Sequence, residues 1–244
     1  MRILALDTSL NAGSVALLED TTILSEERIP PKGTARELVP TIQRLLKGLA
    51  WAPRDVQLVA VAVGPGSFTG LRLGLATGKV FAYATQATLV GVDTPRVLAE
   101  QVPLEGQFVQ VILDAQRGQL FVANLARAAD GRWTSEVCES ADETCSRPLQ
   151  GPRRDIQLMD VESWLANITP SRILVGPVLR SLAQRLPSDA QVADSDCWEP
   201  RASTVGRLAA GDFRRGRRDD VWALAPVYGR PSAAEEKVRR LLQT

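Results

Sequence analysis

The chain opens on an apolar run, Ile3-Leu4-Ala5-Leu6, closed by Asp7, and this pattern predicts a buried strand ending in an acid. Residues 14–18 and 21–27 read as the next two strands, with Glu19-Asp20 as the turn between them. Over residues 34–49 the apolar positions are Leu38, Ile42, Leu45, Leu46 and Leu49, the spacing of an amphipathic helix, in which Pro40 is expected to kink or delay the first turn. Residues 56–63 are nearly continuous in apolar character, as central parallel strands are. Ser67 is placed to cap a helix running to about Ala84, followed by a strand at 88–92 and a short helix at 94–101.

The order then begins again. Residues 108–114 form another apolar run ending in an acid, Asp114, and 120–126 and 133–138 read as strands. An irregular connection is expected over 145–156, a helix capped by Asp160 through Asn167, a strand at 173–175 and a helix at 178–186. Ser203 is expected to cap a helix through Phe213, and Ser232 with Glu235 to form a capping box for a last helix near 233–241. Each half therefore reads strand-strand-strand-helix-strand-helix. That duplication predicts an α/β protein of the actin-like ATPase fold, built from two ribonuclease-H-like halves at 1–104 and 105–244, with the last helix free to cross back to the first half.

One segment carries more than the rest. After the strand ending at Val63 comes Gly64-Pro65-Gly66-Ser67-Phe68-Thr69-Gly70-Leu71-Arg72, and the helix that follows holds Gly70, Gly74 and Gly78 at four-residue spacing, on one face. Each glycine costs a helix interior about 1 kcal/mol relative to alanine, roughly 3 kcal/mol in total, so a close backbone approach must offset it. That approach is either internal or made by another subunit; another subunit is the expected one, with Leu38, Ile42, Leu71 and Leu75 widening the same contact. The spacing fits neither nucleotide motif: three residues separate Gly74 from Gly78-Lys79 and Val80 follows, unlike a P-loop, and Gly64, Gly66 and Gly70 are spaced one residue too long for a dinucleotide fingerprint.

Composition narrows the chemistry. The 244 residues contain no histidine, which excludes His-based triads and His-ligated zinc. Cys138, Cys145 and Cys197 lack C-x-x-C spacing, so a reducing cytoplasm is expected, without disulfides or metal. Net charge is +1, too small a field to attract nucleic acid. No apolar run approaches the ~18 residues of a membrane span, and the strand starts too near Met1 for a signal peptide. Asp7-Thr8-Ser9, Asp114 and Gly176 occupy positions where the fold manages metal and phosphate, but the first turn lacks glycine and Val175-Gly176-Pro177 offers one glycine of an expected pair. They are read as vestigial nucleotide turns. Arg214, Arg215, Arg217 and Arg218 are read as a solvated helix end that complements the dipole, with an RNA contact as the alternative.

Four runs carry a family resemblance: Ile3-Leu4-Ala5-Leu6-Asp7-Thr8-Ser9, the Gly64–Arg72 run, Leu113-Asp114-Ala115-Gln116-Arg117-Gly118, and Pro226-Val227-Tyr228-Gly229-Arg230. In these the chain resembles the TsaB family, also called YeaZ, of partner subunits in bacterial tRNA threonylcarbamoyladenosine synthesis. It departs from the family at Thr34, where a histidine is usual before the kinked helix. The resemblance implies a non-catalytic subunit, not a glycoprotease. It would pair with a TsaD-like catalytic subunit through first-half helices, receive a TsaE-like ATPase, meet tRNA through the complex, and form a homodimer when alone. It implies no resident cofactor, with a partner interface as the place for any ATP or ADP. Two other classes are an actin-like-fold small-molecule kinase, which predicts ATP binding by the isolated chain, and a homodimeric module unrelated to tRNA.

Overall fold

The computed structural model describes residues 1–103, 107–135 and 156–229. The expected strand beyond residue 135, the connection over 145–155 and the capping box at Ser232 and Glu235 with its helix lie outside the described residues.

Two sheets form. The first has the order β3-β2-β1-β4-β5, from β1 (Arg2–Asp7), β2 (Gly13–Glu19), β3 (Thr22–Ile29), β4 (Leu58–Gly64) and β5 (Thr88–Asp93). β1 runs antiparallel to β2, with Ile3 opposite Leu18, and parallel to β4, with Ile3 opposite Leu58. The second has the order β11-β10-β6-β7-β8, from β6 (Phe108–Asp114), β7 (Gln119–Arg127), β8 (Trp133–Ser135), β10 (Ile173–Val175) and β11 (Gln191–Val192). β9 (Ile156–Asp160) also pairs with β7. β8 opposes one end of β7, at Arg127, and β9 the other, at Gln119, both antiparallel. Together they take the place that β3 holds in the first sheet, so both sheets repeat one strand order. The fold is the actin-like one, with two ribonuclease-H-like halves.

Alternation along the first-sheet strands decides which helices cover which face. Leu4, Leu6, Val59, Val61 and Val63 point to one side, where they meet α1 (Thr34–Gly48) and α2 (Phe68–Thr85). The positions between them are smaller: Ala5, Ala16, Ala60 and Ala62 join a core with α6 (Ala202–Arg214) on the other side. That alanine face lets α6 sit close. A Cβ on Gly206 would lie 2.6 Å from a Leu18 methyl and 3.1 Å from Ala5 Cβ. The second sheet is covered on one face by α4 (Val161–Ala166) and α5 (Leu179–Leu182), through Trp164, Leu179 and Leu182. On its other face lie Leu98 and Ala99 of α3 (Thr94–Gln101). Each sheet thus receives a helix from the other half. Gln101 fastens the exchange: its Nε2 donates to Cys197 O and Glu199 O, and its Oε1 accepts from Arg201 N.

Several sequence expectations change. Pro40 is the seventh residue of α1 and does not delay it, because it sits on the solvent side, where water can serve the carbonyl that lacks an N–H partner. The helix expected over 178–186 is only α5 followed by a 3-10 turn at Ala183–Arg185. Ser203 does not cap α6 but lies inside its first turn, where its N and Oγ both donate to the carboxylate of Glu26 on β3, at 2.8 Å each. The anion at the helix start comes from 177 residues away.

The largest correction concerns the glycine stripe. Gly70, Gly74 and Gly78 do not face another subunit; they face the chain's own first sheet. A Cβ on Gly70 would lie 2.1 Å from Thr8 O, and one on Gly74 2.1 Å from Thr8 Oγ1. At Gly78 it would meet Val59, Leu6 and Val61 at 3.5–3.7 Å. Leu38, Ile42, Leu71 and Leu75 are also core residues, at most 4% exposed. At Gly70 and Gly74 the bare face is filled by the turn after β1, which only glycine admits at this distance, while at Gly78 the contact is of ordinary length. Gly74→Ala should therefore lower the melting temperature of dilute protein, at a cost of about 1–3 kcal/mol. Gly48→Ala, at the end of α1 with nothing within 4 Å, should raise the melting temperature, with a gain in stability of up to about 1 kcal/mol. Equal melting of Gly74→Ala and the parent would return the stripe to the surface.

Candidate functional site

The turn after β1 is buried and knitted to the start of α2. Asp7 Oδ1 accepts from Ser9 N at 3.2 Å and from Ser9 Oγ at 2.7 Å. Its Oδ2 is buried without a hydrogen-bond partner among the described residues. Burial pushes the Asp7 carboxyl up to about 7; the Ser9 bonds oppose the rise, and Glu199 and Glu26 add to it. Thr8 Oγ1 donates to Gly70 O at 2.7 Å, and Ser67 N donates to Ser9 O at 2.7 Å. The other sequence-predicted turns make their bonds on the second sheet. Asp114 is exposed and accepts from Gln116 N in a hairpin whose Gln116, Arg117 and Gly118 have positive φ. Gly176 has φ 142°, and a Cβ there would lie 2.0 Å from Ile112 O, so this glycine answers a packing demand within the chain. Thr34 sits beside Gly13, its γ-methyl 3.1 Å from where a Cβ would stand. Among the described residues no group of three His, Cys, Asp or Glu side chains is placed to hold a metal.

The opposite face of α2 is the exposed one. Phe68, Arg72, Ala76, Val80 and Tyr83 follow one another at intervals of four, four, four and three residues, and all five are exposed. Phe68 is 45% exposed, Val80 68% and Tyr83 59%. This stripe is offset by two residues from the glycines, and two residues turn a helix by about 200°. Seating the glycines on β1 therefore aims the aromatic stripe at solvent. Between Phe68 and Thr85 there is no acid, while Arg72 and Lys79 are basic.

A strap formed by residues 219–229 lies along the same helix. Asp219 N donates to Leu89 O, and Gly91 N donates to Asp219 Oδ2 at 2.7 Å, covering the β5 edge of the sheet. Val227 N donates to Val63 O at 2.7 Å, and Gly64, at φ 112°, leaves room for the Val227 carbonyl. At the end of α2, Trp222 meets Tyr83 edge-on at 5.3 Å, and Lys79 Nζ donates to Trp222 O. At its start, Tyr228 stacks on Phe68 at 5.0 Å, and Arg72 lies over the Phe68 ring while its Nε donates to Tyr228 Oη at 2.7 Å. Two of the motif runs thus meet in one cluster across 156 residues of chain.

These exposed residues were not singled out from the sequence, although the signal was present: the four-residue spacing of the glycines has a twin two positions away. The basic run also changes meaning. It is not a freely solvated helix end. Arg215 and Arg217 bind Asp212, Arg217 also binds Asp219, and Arg218 stacks on Phe213. Burial would raise Asp212, but Arg96, Arg215 and Arg217 hold it below the usual carboxylate range. The run is an anchor from which the strap departs.

Comparison with known proteins agrees with this arrangement. The family model described as TsaD, tRNA N6-adenosine threonylcarbamoyltransferase, matches residues 29–152. The Escherichia coli K12 protein named tRNA threonylcarbamoyladenosine biosynthesis protein TsaB is 31% identical over 241 residues, 98% of each chain. A Bacillus subtilis protein of the same name is 33% identical over 122 residues, 50% of this chain and 53% of its own. The crystal structure of YeaZ from Pseudomonas aeruginosa superposes with a TM-score of 0.72 at 24% identity, over 93% of this chain and 100% of that one, which speaks to the fold. Identity of 31% over 98% of both chains shows that the chain belongs to the TsaB (YeaZ) family.

Proposed function

We propose that this chain is a non-catalytic subunit in the synthesis of threonylcarbamoyladenosine in tRNA, and that it holds a TsaD-like catalytic subunit on the outward face of α2. The observation that carries the reading is the exposed apolar and cationic stripe of Phe68, Arg72, Ala76, Val80 and Tyr83. The names of its TsaB relatives support the pathway. The TsaD family model spans α1 and α2, so a TsaD-like subunit carries counterparts of both helices. Like can then meet like about a local twofold axis, as isologous interfaces do. A TsaE-like ATPase and tRNA join through that pair, and two copies of this chain meet on the same face when the TsaD-like subunit is absent.

The turn after β1 supports a scaffold role over a catalytic one. A phosphate cradle needs backbone N–H groups aimed at the ligand, and Ser9 N is committed to Asp7. The Thr8 and Ser9 carbonyls are pressed against Gly70 and Gly66. The chain has no histidine to act as a base or to bind zinc, although one structural relative is described as similar to a peptidase. In this reading there is no resident cofactor, and ATP or ADP belongs to a partner interface.

Val80→Asp should leave the monomer's melting unchanged and weaken binding to the purified TsaD-like partner by roughly 30-fold or more, the scale of an interface hot spot. Cells carrying it should show less threonylcarbamoyladenosine in tRNA by nucleoside mass spectrometry; unaltered affinity would sink the docking face.

Asp7 gives a second test. Burial pushes its carboxyl up to about 7 in the fold from an ordinary value of 3.8, so the folded state holds an extra proton between those values. Its contribution to stability therefore falls as pH rises from about 4 to about 7. Asp7→Asn should flatten that slope and raise the melting temperature at pH 8, whereas an Asp7 that serves as a working phosphate or metal ligand predicts loss of nucleotide affinity instead.

A further inference from the structure

We propose that the strap at residues 219–229 is the second wall of the TsaD-docking surface, and that Arg72 is the positioning residue that sets it. The proposal rests on the docking reading above and adds to it the part of the surface that comes from the far end of the chain.

Three observations carry it. First, the strap's two aromatics, exposed Trp222 and half-buried Tyr228, flank the α2 stripe at its two ends. Trp222, 76% exposed, stands against Tyr83, and Tyr228 stacks on Phe68. A large ring left this open on a segment fastened at several points is a preformed contact, because little entropy remains to be lost when a partner covers it. Second, the charges are one-sided. On α2, Arg72 is exposed and half-buried Lys79 reaches across to Trp222 O, while the strap's own acids are turned to the backbone: Asp219 accepts from Gly91 N, and Asp220 accepts from Trp222 N and Ala223 N. The occupant is therefore a helix of the TsaD-like subunit with an aliphatic stripe and carboxylates facing Arg72 and Lys79, positions about 10 Å apart along the axis. Third, Arg72 joins the two walls. Its guanidinium covers Phe68 while its Nε holds Tyr228 Oη, so the strap end cannot move without breaking that hydrogen bond and the Tyr228–Phe68 stack together. Lysine keeps the charge but not this planar geometry.

The test uses the full chain and the purified TsaD-like partner in titration calorimetry, with melting of each variant alone. Trp222→Ala should weaken binding roughly tenfold or more with unchanged melting. Tyr228→Phe and Arg72→Lys should each weaken it several-fold, and the double variant should be no worse than either single, because both remove one shared bond. Hydrogen exchange at strap amides should slow when the partner is added. If Val80→Asp abolishes binding while Trp222→Ala and Tyr228→Phe bind as the parent does, with strap exchange unchanged, the strap lies outside the interface and this proposal is wrong while the docking face stands. If Val80→Asp also binds as the parent does, the docking face itself is wrong.

Discussion

The contact between the bare face of α2 and the turn after β1 sets the geometry of the first half. A helix with Gly74 and Gly78 in its interior and Gly70 in its first turn gives up intrinsic preference, about 1 kcal/mol for each interior glycine. At Gly70 and Gly74 it gains an approach that side chains would forbid, with Thr8 hydrogen-bonded to Gly70 O and Ser67 N to Ser9 O, and with Leu71 and Leu75 buried beside them. Because the approach is so close, the roll of the helix about its own axis is fixed. That roll turns Phe68, Arg72, Ala76, Val80 and Tyr83 outward. The candidate interface is thus a consequence of internal packing: the same glycines that looked like a contact for a partner are what aim the exposed stripe at solvent.

A second constraint comes from the alternation of large and small residues in the central strands. Leucine and valine on one side of β1 and β4 pack against α1 and α2. Alanine on the other side draws in α6, a helix from the far half, until Gly206 nearly touches Leu18. α6 then places Asp212 against Arg96 of α3 and Arg217 of the following segment, a buried network with every charge paired. Such a network gives less net stability than its bond count suggests, yet breaking one partner is costly, so it works as a registration device. From that fixed point the chain leaves for the β5 edge and runs along α2. The strap's position is therefore written in the alanine pattern of strands that lie more than a hundred residues earlier.

β1 and β6 both end in an acid, Asp7 and Asp114, and the first of these is turned inward. Its carboxyl is buried, bonded to its own turn and pushed up to about 7. A group held that way costs stability when it ionises, which a protein tolerates when the surrounding packing is strong.

The sequence alone determined the two-half plan, most strand and helix positions, and the family, because these depend on local periodicity and on short motifs. Pattern reading also located the segment that matters most, Gly64 to Arg72. It did not determine which side of that helix is covered. The glycine stripe and the aromatic stripe share one spacing, and periodicity distinguishes faces without saying which one is packed against the molecule. Nor did it reveal β9, a strand only because β7 offers it an edge, or Glu26 at the start of α6, or the meeting of Arg72 with Tyr228. Each of these joins residues far apart in the chain, and only the docking of one finished element on another decides such contacts.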